Sequence, residues 1–153
     1  MPVLLEESSI YDLYDVYLNQ IIGNSFKYQE FHNKLKQLPD NILDFILSTV
    51  PGDFIKDRIS IPLGLNENQS KEIAVIVLEL ILTDIYLGNV VNEVKSRLQV
   101  DEMKAKTIAG LLVTQLFSPI LDDLKKMHIE KFTKNLPKPN QEIDDRVVNL
   151  KNF

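Results

Sequence analysis

The residues of this chain that could take part in chemistry, judged by type and spacing, are mainly acidic. Asp12 and Asp15 lie three residues apart and Asn19 follows a turn later, so a helix would bring three oxygen-bearing side chains onto one face. A hard cation could use such oxygens, although it prefers about six ligands. Because acids in a first turn also follow from the helix dipole alone, we favour a structural role for this group over a metal site.

A second pair of acids interrupts the most apolar stretch, residues 74–87, which contains Glu79 and Asp84. A buried carboxylate has a raised pKa and could act as a catalytic acid or base. Unpaired acids are almost never fully buried, so we favour a solvent-facing position for both. An enzyme, or a small-ligand or metal binder that uses isolated acids, stays the alternative function.

Nucleophiles and soft metal ligands are scarce. The chain has no cysteine and two histidines, His32 and His128, which excludes a disulfide scaffold, a thiolate site and a zinc cluster built by histidines of this chain. The sequence contains no nucleophile elbow, phosphate-binding loop or dinucleotide-binding glycine run. We therefore assign no catalytic, cofactor-binding or metal residue, expect no cofactor, and lean against an enzyme.

Composition describes an ordinary globular protein. The 153 residues are 44% hydrophobic and 25% charged, as expected for a single domain. The net charge of −5 argues against nucleic acid as a partner. Within residues 1–10, acidic residues follow the short apolar run too closely for a signal peptide. The apolar stretch of 14 residues is shorter than a membrane-spanning helix. We expect a cytoplasmic protein without a membrane-spanning helix.

The elements that must position these residues are helices. Apolar residues recur three and four apart, which predicts an all-α fold: a single compact bundle of six to eight helices over residues 1–136. The central helix begins with an Asn66–Gln69 capping box, is apolar nearly all round, and should end at Gly88. Residues 61–65 should be extended, since Pro62 disfavours a helical residue before it. Helices should start at these residues: Ser9, Ser25, Pro39, Asn66, Asp101 and Ser118.

Part of the sequence repeats itself. Residues 63–82 align without a gap on residues 98–117, at an offset of 35, with five identical positions. A duplication, with units at 63–97 and 98–136, would fit the period of helical-hairpin repeats. The other interpretation is that two capped helices share an acidic first turn and an apolar lead-in for physical reasons alone.

Tyrosines near the N-terminus form the first part of a candidate interaction surface. Tyr11, Tyr14 and Tyr17 follow one another three residues apart. Tyrosine is enriched at interfaces because its ring is apolar and its hydroxyl tolerates water. The alternative is that these rings cover the edge of the core.

The C-terminal tail, residues 137–153, forms the second part. Pro137 and Pro139 force the chain out of the preceding helix. The tail is then a strap packed on its own helices, a disordered end, or a peptide that docks on a partner, and its apolar residues are Val147, Val148, Leu150 and Phe153. Together these features predict a non-catalytic helical protein–protein interaction module, or a small scaffold or adaptor subunit, whose partner is a protein or a second copy of itself.

Overall fold

The computed structural model describes residues 12–133. Within that range the chain forms eight helices and no strand. The predicted all-α fold, with six to eight helices, is thereby confirmed. Tyr11, Ser9 and the tail 137–153 lie outside the described residues.

Five helices belong to the first of two compact units, Met1–Leu82. Helix α5 packs against α1 and against the middle of α4, while α1 also packs on α2 and α3. The bounds are α1 Leu13–Ile21, α2 Ser25–Lys36, α3 Asp40–Leu47, α4 residues 50–63 and α5 Glu67–Ile81.

Three helices belong to the second unit, Thr83–Phe153. A 3₁₀ turn, Leu87–Asn89, leads into α6, Val90–Leu98. Helix α7 spans Glu102–Leu116 and packs against α6. A second 3₁₀ turn, Ser118–Ile120, leads into α8, Leu121–Thr133.

Three of the six predicted helix starts, Pro39, Asn66 and Asp101, are confirmed. Helix α1 instead begins at Leu13, four residues after Ser9. Ser118 opens a 3₁₀ turn without a side-chain cap, so α8 begins only at Leu121. The Asn66 side chain accepts from the Gln69 backbone N–H at 2.8 Å, and the Gln69 side chain accepts from the Asn66 N–H at 3.0 Å. Asp101 caps α7 by accepting from the Lys104 N–H at 2.8 Å. The prediction that Ser25 caps α2 is wrong. Asn24 is the cap, since its side chain accepts from the Lys27 N–H at 3.0 Å, and Ser25 is the first helical residue.

The prediction that residues 61–65 are extended is wrong. Helix α4 continues through Ile61–Leu63 and ends at Gly64 in the left-handed conformation, with φ of 68°. The Leu65 N–H bonds to the Ser60 carbonyl at 2.9 Å, which completes a Schellman end. The preceding turns, Ile55–Ser60, form a π-helix. Pro62 lies directly after these turns, within the first turn of the segment Ile61–Leu63.

Helix α5 ends earlier than expected, at Ile81 rather than near Gly88. Thr83 ends it by adopting a positive φ of 63°, which is uncommon for a β-branched residue. The Lys131 ammonium donates to the Thr83 carbonyl at 2.7 Å and holds this turn against α8. The predicted burial of α5 on all sides is confirmed, since every residue from Ile73 to Leu78 is buried.

No single helix among residues 12–133 is long and apolar enough to cross a membrane. Helices α7 and α8 meet that test only when taken together as a pair bent by 55°.

Candidate interaction surface

Helices α1 and α2 form a hairpin that gathers aromatic side chains. Phe31 of α2 is buried and contacts Tyr17 of α1, with ring centroids 4.6 Å apart, and Tyr14, at 5.9 Å. Both tyrosines are half-buried. They therefore cover the edge of the core with part of each ring and expose the rest. The other members of the predicted surface, Tyr11, Val147, Val148, Leu150 and Phe153, lie outside the described residues.

A histidine ties the two helices of this hairpin together. His32 Nδ1 lies 2.9 Å from the Tyr28 carbonyl, which can only accept, so Nδ1 carries the proton. In the neutral ring Nε2 then accepts from the Tyr14 hydroxyl, at 2.9 Å. Burial, followed by the nearby Tyr28 and Asp15, raises the pKa of Tyr14 above its ordinary value. Tyr14 therefore remains a hydroxyl donor at neutral pH.

A groove of about 580 Å³ lies at the turn between α1 and α2. Gly23 makes this turn with a positive φ of 89°, and the Asn24 N–H bonds to the Ile21 carbonyl at 3.0 Å. All nine residues that line the groove are uncharged: Leu18, Asn19, Ile21, Ile22, Gly23, Asn24, Ser25, Tyr28 and Gln29. The groove is thus mainly apolar, with a few amide and hydroxyl groups, as in many binding sites.

Large apolar side chains stand at this groove and next to it. Ile22 is 79% exposed, Phe26 74% and Tyr28 49%. We call the groove together with these three residues the α1–α2 apolar surface. Several exposed apolar groups close to a cavity are typical of an interaction site, whereas single ones are ordinary.

Sequence reasoning missed two of these residues, Ile22 and Phe26. A signal was present for Phe26, which precedes Phe31 by five residues. Five residues correspond to 140° around a helix, so Phe26 had to lie far from the buried stripe. Tyr28, which the sequence places on that stripe, is half exposed instead.

The candidate acids divide between several environments. Asp12 precedes α1, and burial together with the charges of Asp15 and Asp53 raises the pKa of its carboxyl group. Glu79 is half-buried and Asp84 is exposed. Among residues 12–133 no group of three acidic or histidine side chains is arranged to hold a metal ion.

The second histidine is a core residue. His128 is fully buried in α8, and its Nδ1 accepts from the Leu87 N–H at 3.3 Å, so Nδ1 is unprotonated. Its ring stacks on Phe132, with centroids 5.5 Å apart, and lies 6.4 Å from that of Tyr86. His128 thus fixes the turn before α6.

Comparisons with protein families, curated proteins and solved structures find no match for this chain.

Proposed function

We propose that this protein is a non-catalytic protein–protein interaction module, or a small scaffold or adaptor subunit, and that its partner binds the α1–α2 apolar surface. The observation that carries the proposal is the uncharged groove, with Ile22 and Phe26 each about three-quarters exposed beside it. Isolated exposed apolar residues need no explanation, but a concave site accompanied by several of them does.

The energetics favour such a role for these residues. Burying a large apolar side chain contributes about 1.5–3 kcal/mol. Two such anchors and one inserted partner side chain can offset much of the entropy lost on association. The surface is also held in place before binding, because Tyr14 and His32 join α1 to α2 and Phe31 packs between them.

The alternative function, an enzyme or a small-ligand or metal binder that uses isolated acids, has one supporting observation. The pKa of Asp12 is raised by burial, Asp15 and Asp53, as for a general acid or base. Neither of the two grooves beside α2 is lined by Asp12, however. We therefore place this function second.

The test uses the full chain as bait in an extract of its native host. The double variant Ile22→Asp/Phe26→Asp should lose the proteins that the wild type captures. Met103→Asp is the matched control, since Met103 is 78% exposed on α7. Circular dichroism should be the same for all three proteins. Capture of one protein set by all of them would contradict the proposal.

A further inference from the structure

We infer that the partner presents an acidic amphipathic helix, with apolar side chains toward the α1–α2 apolar surface and carboxylates beside them. This inference rests on the proposed function. It starts from charge. Helix α2 contains three lysines and one glutamate, so its formal charge is 3 − 1 = +2, in a chain of net charge −5. Each of the other seven helices has a formal charge of +1 or lower.

The lysines are placed on both sides of one exposed face. Phe31 and Leu35 mark the buried side of α2. Lys27 and Lys34 are seven residues apart and share one edge of the helix, while Lys36 lies about 200° from Lys34, on the other edge.

Between these edges runs a face that begins at Phe26. A second groove, of about 250 Å³, follows it along residues spaced three and four apart: Phe26, Gln29, Glu30, Asn33, Lys34 and Gln37. The face is therefore apolar at one end and rich in amides along its length, with lysines at its edges. Glu30 is the acid of this face, so the partner position opposite it should be an amide or a basic residue.

The local charge of α2 decides which sign of charge the partner should carry. The Debye length is about 8 Å at physiological salt, so carboxylates docked along α2 respond most to the charges of α2 itself, its three lysines and Glu30. Charges around a binding site mainly steer association and select among partners, while buried apolar groups supply most of the affinity.

A helix is the partner conformation that this surface fits. Residues 12–133 contain no strand, so they offer no sheet edge for a partner strand. Helix α2 has 12 residues and is therefore about 18 Å long, enough to contact about three turns of another helix.

The experiment selects peptides from a random 16-residue phage library on the folded full chain and removes those that also bind Ile22→Asp/Phe26→Asp. We expect enriched peptides with Leu or Phe at helical spacing and a clear excess of acids. Their affinity, measured by fluorescence anisotropy, should fall about tenfold for Lys27→Glu/Lys34→Glu/Lys36→Glu, because three attractions to the peptide carboxylates become repulsions. The loss should shrink at high salt. The control Lys104→Glu/Lys106→Glu, on α7, should bind as the wild type does.

The two failures can be told apart. Enriched peptides that are neutral or basic, or that bind the triple variant as tightly as the wild type, overturn the acidic partner and leave the docking surface in place. If no enriched peptide depends on Ile22 and Phe26, the proposed function fails, and this inference fails with it.

Discussion

Helices α5 and α7 begin alike and then diverge. Both start with a side chain, Asn66 or Asp101, that accepts from the backbone N–H three residues later. Both continue with an acid in the first turn, Glu67 or Glu102, that pairs with a lysine four residues on. These features lie at the offset of 35 that relates the two segments in sequence.

The surroundings of the two helices differ from the middle onward. Val75 of α5 is buried, whereas the aligned Gly110 of α7 is exposed. The rest of this α7 face is exposed too, and its threonine hydroxyls bond to the helix itself: Thr107 to the Met103 carbonyl at 3.0 Å and Thr114 to the Gly110 carbonyl at 2.6 Å. A start signal is local, but burial depends on which neighbours cover each face.

The helical geometry differs as well. Helix α7 changes to π-helical turns over Leu112–Leu116, while α5 stays α-helical to Ile81. The duplication therefore stays a prediction, since shared capping chemistry explains the similarity of the starts equally well.

The largest effect should come from a charge placed at aligned positions of the two helices. Ile76 is fully buried, whereas Leu111 is half-buried, although the sequence treats both as core residues. Ile76→Asp should cost about 4 kcal/mol or more and unfold the protein, because an unpaired carboxylate would be buried. Leu111→Asp should cost clearly less. Thermal melts followed by circular dichroism test the pair, and equal losses would show that α7 is as enclosed as α5.

Alanine at the next aligned pair should have effects of opposite sign. Val75→Ala removes two buried methyl groups and should destabilise by about 2 kcal/mol. Gly110→Ala should stabilise by about 0.5–1 kcal/mol, because a Cβ there meets open space and glycine is unfavourable within a helix. Urea unfolding measures both. A destabilising Gly110→Ala would mean that this face of α7 is covered.

The two caps should contribute equally. Asn66→Ala and Asp101→Ala should each lower the free energy of unfolding by about 1 kcal/mol, since each removes one acceptor from a helix start. Asn66→Asp is the control, and its free energy of unfolding should stay within a few tenths of a kcal/mol of the wild-type value. A difference of more than about 1 kcal/mol between the two alanine variants would show that one start depends on tertiary contacts.

The smallest effect concerns the acids that follow the caps. Glu102 accepts from Lys95 of α6 at 3.1 Å, and this bond, with the charges of Lys95 and Lys106, lowers the pKa of its carboxyl group below 4.5. A lowered folded-state pKa gives stability that is present above pH 4.5 and is lost as the pH falls through the folded-state pKa. Glu102→Gln should therefore destabilise slightly at pH 7 and have no effect near pH 2. An NMR titration of the Glu102 carboxyl carbon checks the direction, and a midpoint at or above 4.5 would contradict it.

The candidate surface was only partly readable from sequence. The tyrosine spacing indicated Tyr14 and Tyr17, because side chains three apart share a helix face. Ile22 was not found because its exposure depends on the turn at Gly23, and Phe26 was not found although its helical spacing places it far from the buried stripe. Periodicity assigns a face to each residue but does not say whether another helix covers that face.

The sequence by itself determined the helical class and several helix starts, because periodicity and capping act within a few residues. Tertiary structure decided where α5 ends, whereas α4 ends at Gly64 through local hydrogen bonds that sequence reasoning did not predict. Pro62 was expected to break the chain into an extended segment, but α4 continues through it to Leu63, directly after the π-helical turns. Thr83 ends α5 in a strained conformation that is held by Lys131, 48 residues away. A contact over that distance in the chain leaves no local pattern, so it exists only once α8 has packed.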